Sequence, residues 1–142
     1  WQMPEKTASE FRPDGFFITG DLGVVDTDGY VTIVGRGKDL IITGGFNVYP
    51  KEVELEIDAM EGVLESAVFG VAHPDFGEGI VAAVVPRDGA SLNDRDVIEA
   101  LGARLAAYKR PKKIVFLDEL PRNTMGKVQK NLLRSQFADS FT

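Results

Sequence analysis

Hydrophobic positions along the chain follow two different periods, and the switches between them mark out the elements. Residues 1–13 are polar and aperiodic and predict a loop or a loosely held arm. Gly15-Phe16-Phe17-Ile18-Thr19-Gly20-Asp21 is a short apolar run closed by a turn. Val24-Val25 and Tyr30-Val31-Thr32-Ile33-Val34 flank Asp26-Thr27-Asp28-Gly29 and predict a hairpin. Asp-Gly supplies the positive φ of a tight turn, and β-branched arms suit strands. Gly35-Arg36-Gly37-Lys38-Asp39, charged and glycine-flanked, reads as a linker.

The pattern changes after it. Leu40-Ile41-Ile42-Thr43 and Phe46-Asn47-Val48 flank Gly44-Gly45 and predict a second hairpin. Pro50 stands where a first helical residue belongs, and Val53, Ile57 and Met60 follow on one helical face. Residues 63–71 and 79–85 read as strands, with a loop at 73–77 between them. Asn93 and Asp96 form a capping pair that opens a helix with Val97, Leu101 and Leu105 on one side, ended by Pro111. Ile114-Val115-Phe116-Leu117 predicts a strand, 121–127 a loop and 128–137 a final helix. Strands mixed with helices at such short spacing predict an α+β fold: a short hairpin plus a small sheet carrying helices.

Composition narrows the chemistry. A chain of 142 residues fits about one domain. The absence of cysteine excludes a disulfide framework, a thiol nucleophile and a thiolate zinc site, and a single histidine argues against a histidine metal centre, so no metal site is expected. No apolar run approaches the roughly 20 residues of a membrane span, and Trp1-Gln2-Met3-Pro4-Glu5 is no signal peptide. A cytoplasmic protein without membrane contact is the expectation, and a start with neither Met nor an element signal suggests a piece of something larger.

Charge adds a direction. Residues 1–108 hold 8 Lys and Arg against 19 Asp and Glu, whereas residues 109–142 hold 8 against 3. A basic end can meet nucleic acid or a small anion, or be a solvated helix. No recognition helix, zinc finger or aromatic-basic interleaving supports nucleic acid, so a small anionic ligand is the better expectation.

Four clusters can carry that chemistry. Thr19-Gly20-Asp21 places a carboxylate at a glycine turn, where it can accept hydrogen bonds from a ribose diol or from turn amides. Gly35-Arg36-Gly37-Lys38-Asp39 sets Arg and Lys beside flexible backbone, as a phosphate contact or an exposed charged loop. Thr43-Gly44-Gly45-Phe46-Asn47 permits a tight turn or the close approach of a ligand. Leu120-Pro121-Arg122-Asn123-Thr124-Met125-Gly126-Lys127 delivers one lysine from a Pro- and Gly-bearing loop, either solvated or able to stabilise charge on a carboxylate or phosphate oxygen. It is not a phosphate loop, since Val128 replaces the Ser or Thr expected after the Lys.

Taken in order, these clusters, together with Gly45-Phe46-Asn47-Val48-Tyr49-Pro50-Lys51-Glu52-Val53-Glu54, resemble the acyl-CoA synthetase branch of the adenylate-forming enzymes over essentially the whole chain. The resemblance implies a large N-terminal domain, of which residues 1–37 look like the tail, and a small C-terminal domain, residues 38–142. It implies a reaction in two halves: carboxylate and ATP give acyl-adenylate and pyrophosphate, then CoA displaces AMP. ATP and CoA are the implied cosubstrates, with Mg2+ carried on ATP and bound by the upstream domain. Asp21 matches the ribose-binding carboxylate, Arg36 the arginine supporting ribose and adenylate, and Lys38 the hinge. Lys127 matches the adenylation lysine, which in this family is also a target of acetylation, so a lysine acetyltransferase and deacetylase are implied partners. Gly45 matches the glycine of the pantetheine channel. Asn47, placed with Gly45 in the CoA channel by the resemblance, stands where some members have an Arg meeting the CoA phosphates, a departure from the family pattern at that contact. Trp1-Gln2-Met3-Pro4-Glu5-Lys6-Thr7 and Phe17-Ile18-Thr19-Gly20-Asp21-Leu22-Gly23 look most like malonyl-CoA synthetases, which implies a dicarboxylate substrate. The competing reading is a non-catalytic module recognised by other proteins through Lys127.

Overall fold

A single strand organises most of the molecule. In the computed structural model, which describes residues 2–142, β6 (Gly77–Pro86) pairs with β5 (Val63–His73) antiparallel along its whole length. With one edge so occupied, the other takes β3 (Ile41–Thr43) at Thr43↔Gly77 and β7 (Lys113–Phe116) in parallel from Val81↔Lys113 to Val84↔Phe116. A further strand, β4 (Phe46–Val48), pairs with β3. The mixed five-stranded sheet is therefore centred on β6.

Both faces of β5 and β6 are covered, which explains their near-continuous apolar runs. Val68, Ile80, Ala82 and Val84 point to one side, against Val53 and Ile57 of α2 (Pro50–Asp58) and Val97 and Leu101 of α3 (Asp94–Gly102). Their neighbours Ala67, Phe69, Val81, Ala83 and Val85 point to the other, against Leu120, Leu133 and Phe137 around α4 (Lys130–Gln136). The period of two along each strand thus separates two cores. At the far end, Phe141 lies over Gly79, filling the space a Cβ would need.

The chain divides into two compact units, the first ending at Lys38 and the second beginning at Asp39. The first holds α1 (Pro4–Glu10) and the antiparallel pair β1 (Asp21–Val25) and β2 (Val31–Arg36). Asp26 closes that hairpin: its Oδ1 accepts from the backbone N–H groups of Asp28 (3.0 Å) and Tyr30 (2.9 Å).

Several expectations are corrected. Residues 4–10 form a helix rather than a loop; Pro4 sits in the first turn and Glu5 beside the N-terminal dipole, but no residue of the helix is buried, so there was no apolar period to read. Trp1, at the head of that stretch, lies outside the described residues. The linker at 35–39 does contain the division between the units, but it has regular structure: Gly35 and Arg36 belong to β2, and Gly37–Asp39 form a 3-10 turn. The loop at 73–77 shrinks, since His73 and Gly77 pair with each other. The helix opened by Asn93 ends at Gly102, not at Pro111. Its exit is held by Arg110, whose Nε donates to the Leu105 carbonyl (2.9 Å) and Nη2 to that of Gly102 (2.8 Å). The last helix begins at Lys130 rather than Val128, because Val128 pairs with Arg122 instead.

Candidate functional site

The lysine singled out at 127 stands on a small hairpin between β7 and α4, and its backbone is hydrogen-bonded on all sides. Asn123 is the organiser. Its backbone N–H donates to the Lys127 carbonyl (2.9 Å), and its carbonyl accepts from Gly126 (2.9 Å). Its Oδ1 accepts from the N–H groups of Met125 (3.0 Å) and Lys127 (2.9 Å). Gly126 has φ +78°, a conformation costly for most side chains, so the turn favours glycine there. Arg122 forks: Nη1 donates to the Gly126 carbonyl (2.7 Å) and Nη2 to the Glu65 carboxylate on β5. The Lys127 side chain is exposed, and among the described residues no carboxylate lies within ion-pair distance of it. A rigid backbone carrying a free ammonium on a flexible stem can place a positive charge against an anion outside the chain.

Three residues on, Lys130 is handled in the opposite way. Its Nζ lies 2.6 Å from Glu54 Oε1 and is mostly buried. The same oxygen accepts from the Val68 N–H (2.9 Å), on the edge of β5 that no strand covers. Glu54 thus joins α2, β5 and α4. In the sequence Glu54 stood out only within a motif, and Lys130 and Glu65 not at all, because their partners are distant in the chain.

Asp21 and Arg36 are brought together in the first unit. They are cross-strand partners at the open end of the β1–β2 hairpin, with Arg36 Nε 2.9 Å from Asp21 Oδ1. Gly20 carries φ +74° and accepts from the Gly37 N–H (2.9 Å), which draws the two strand ends together. Arg36 is half exposed, so its remaining guanidinium donors face solvent beside the carboxylate. Lys38 lies in the 3-10 turn at the end of this unit.

Gly45 and Asn47 share the β3–β4 hairpin, whose Gly44 and Gly45 have φ +55° and +82°, the two positive values a two-residue turn requires. A Cβ at Gly45 would meet nothing within 4 Å, so this face is open. Around it the structure adds residues that the sequence did not reveal. The Phe46 and Tyr108 rings stack at 4.5 Å, and Phe76, whose carbonyl accepts from the Gly44 N–H (2.9 Å), carries Lys112 Nζ 4.1 Å above its ring. Next to Tyr108, Lys109 pairs with Glu52 at 2.5 Å, and that hydrogen bond holds the ammonium above its ordinary pKa against the opposing effect of burial. The excess of basic residues after 108 was the available signal; the aromatic partners had none. Among the described residues no group of three or more acidic, His or Cys side chains is placed to hold a metal ion. No helix among the described residues is long and apolar enough to cross a membrane.

Comparison with known proteins gives these loops a context. The model of the AMP-binding enzyme C-terminal domain matches residues 52–127, ending on the exposed lysine. The long-chain-fatty-acid–CoA ligase FadD13 of Mycobacterium tuberculosis is 45% identical over 97% of this chain and 27% of its own length. Feruloyl-CoA synthase of an Amycolatopsis species is 46% identical over 96% of this chain and 28% of its own. Among solved structures, ATP-bound MatB from Rhodopseudomonas palustris is 64% identical with a TM-score of 0.92, covering all of this chain and 28% of that one. The chain therefore spans little more than a quarter of the length of these relatives.

Proposed function

The chain belongs to the family of AMP-binding enzyme C-terminal domains, and on that premise we propose that it is the C-terminal part of an ATP-dependent acyl-CoA synthetase. The reaction joins a carboxylic acid to CoA through an acyl-adenylate, with ATP cleaved to AMP and pyrophosphate. The observation that carries this reading is Lys127: exposed, without a carboxylate partner among the described residues, and held by a hairpin in which both backbone groups of Asn123, Gly126 and Lys127 are hydrogen-bonded. Adenylation brings a carboxylate against a phosphate, and a fixed cation lowers that repulsion as charge develops. Asp21 receives the ribose hydroxyls and Arg36, already oriented by Asp21, supports the sugar and the phosphoryl oxygens. Lys38 is the pivot about which the second unit presents either the Lys127 hairpin or the β3–β4 turn. Such exchange of faces at one site is a hinge motion.

In the second half-reaction the open surface beside Gly45 passes the thiol arm of CoA. The stacked Phe46–Tyr108 pair and Lys112 nearby offer a ring surface and a positive charge for its nucleotide end, a contact that Asn47 does not supply. Mg2+ comes with ATP on the upstream portion. The acid is a small dicarboxylate of the malonate type; the support is the pattern of residues 1–7 and 17–23 together with 64% identity to MatB. The enzyme works in the cytoplasm. Pyrophosphate release by the full-length parent, with malonate, methylmalonate, acetate and a long-chain acid compared, tests both reaction and substrate; failure of every acid to release pyrophosphate refutes the ligase.

A second reading of the same lysine rests on its exposure: a lysine acetyltransferase neutralises Lys127 and a deacetylase restores it, switching the first half-reaction. Peptide mapping after incubation with a lysine acetyltransferase and acetyl-CoA checks this. Modification spread evenly over Lys109, Lys112, Lys113 and Lys130 counts against it.

A further inference from the structure

We propose that Arg122 and Glu65 form a clamp that positions Lys127 by locking the peptide bond on which it stands. The inference rests on the adenylation role given to Lys127 above. The peptide joining Gly126 to Lys127 is held from both sides: its carbonyl accepts from Arg122 Nη1 (2.7 Å), and its N–H donates to Asn123 Oδ1 (2.9 Å). The restraint is needed because of what precedes it. Gly126 sits at φ +78°, and glycine crosses between positive and negative φ at little cost. Without a donor on its carbonyl, this peptide is held on its N–H side alone, and any tilt about that bond re-aims the Cα–Cβ bond of Lys127.

Arg122 would be a poor anchor alone, being half exposed with a long side chain. Its second arm supplies the anchor. Nη2 reaches the carboxylate of Glu65, on β5 in the central sheet, where Glu65 pairs with Val85 just past an irregularity in register. The guanidinium therefore ties the loop to the central sheet. A planar fork serves both acceptors in one fixed geometry, whereas a lysine ammonium at this position is a shorter, freely rotating point charge that holds neither direction. An ion pair this open to solvent contributes little to stability, so its consequence is geometric. Lys130, buried against Glu54, fixes the other end of the same segment.

The test uses the full-length parent enzyme with Arg122→Lys, Glu65→Ala, Glu65→Gln and Lys127→Ala. Adenylation is followed as pyrophosphate release without CoA, and thioester formation is measured from supplied acyl-adenylate. Arg122→Lys keeps the charge but loses the fork, and adenylation kcat is expected to fall about 10- to 100-fold, the scale of a 1 Å misplacement. Thioester formation and the thermal midpoint stay at their wild-type values. Glu65→Ala follows Arg122→Lys, while Glu65→Gln, whose amide oxygen still accepts the hydrogen bond, keeps most of the rate. Wild-type adenylation in Arg122→Lys alongside a crippled Lys127→Ala overturns the clamp alone; equal losses in both half-reactions overturn it too. Should Arg122→Lys not fold, equal adenylation rates in Glu65→Ala and Glu65→Gln overturn the clamp in its place. If Lys127→Ala adenylates normally, the role of Lys127 falls and the clamp with it.

Discussion

Replacing Glu54 by alanine removes a single carboxylate and strands two groups. Glu54 is 6% exposed. Its Oε1 takes the Val68 N–H at 2.9 Å and the Lys130 ammonium at 2.6 Å. A buried N–H left without an acceptor costs about 1–3 kcal/mol. Stripping the partner from a fully buried ion pair costs about 3–5 kcal/mol, but Lys130 keeps 18% of its side-chain exposure and can turn part-way to water, which reduces this to about 1–2 kcal/mol. About 3 kcal/mol in total is the expectation for Glu54→Ala. Glu54→Gln, which keeps an oxygen for Val68 and loses the charge, should cost about 1–2 kcal/mol. Urea unfolding of the 142-residue chain, followed by far-UV circular dichroism, measures both. With m near 1–2 kcal/mol per molar, the alanine variant should lose about 1.5–3 M of midpoint at unchanged m. Lys51→Ala is the control, since its ammonium is 3.9 Å away and more than half exposed. A Glu54→Ala midpoint within about 0.5 M of wild type would refute the reasoning, for Val68 and Lys130 would then have found other partners.

The raised pKa of Lys109, due first to its hydrogen bond with Glu52, favours the protonated form in the folded state. The stability it contributes is full below the ordinary value of 10.5 and disappears as pH rises through the raised one; the stability difference between wild type and Glu52→Gln should close over that alkaline range, and a constant difference would exclude the linkage. Asn93 caps α3 by accepting from the Asp96 N–H at 2.9 Å, so Asn93→Ala should cost about 1 kcal/mol in the same urea assay, and Asn93→Ser, which keeps an acceptor, much less. Gly45 must be tested with care, since its φ of +82° strains most side chains; Asn tolerates that region, so Gly45→Asn should fold. In the full-length enzyme this variant should slow thioester formation and spare pyrophosphate release, and equal slowing of both would remove Gly45 from the CoA path.

Local chemistry was legible in the sequence and distant pairing was not. Asp28-Gly29 and Gly44-Gly45 announced their hairpins because tight turns demand φ values that few residues adopt, and both glycines of the second pair indeed have positive φ. Asn93 and Pro50 announced helix starts for equally local reasons, a side-chain acceptor and a missing N–H. The helix at Pro4–Glu10 escaped because it buries nothing. The exit of α3 was misplaced because a proline is a visible stop, whereas the Arg110 side chain reaching back to Gly102 is not. No pattern along the chain shows that β7 would run parallel beside β6 rather than at another edge. Of the candidate site, Lys127 and its glycine could be read directly, while its supports, Glu65 and Glu54, lie on elements that only folding brings near.

Supports so far apart in the chain cannot all form at once. The β5–β6 hairpin is joined by a short turn and can assemble from neighbouring contacts, whereas β7 needs a crossover through α3 before it can pair in parallel. The Arg122–Glu65 contact closes a separation of 57 residues and waits for both. The support of the lysine is therefore expected to form after the β5–β6 hairpin and to open before it. An opening that releases α4 and the 121–129 segment leaves the sheet intact but the ammonium unaimed, and it should appear in amide exchange as faster opening at Gly126, Lys127 and Leu133 than at Val68 or Val81.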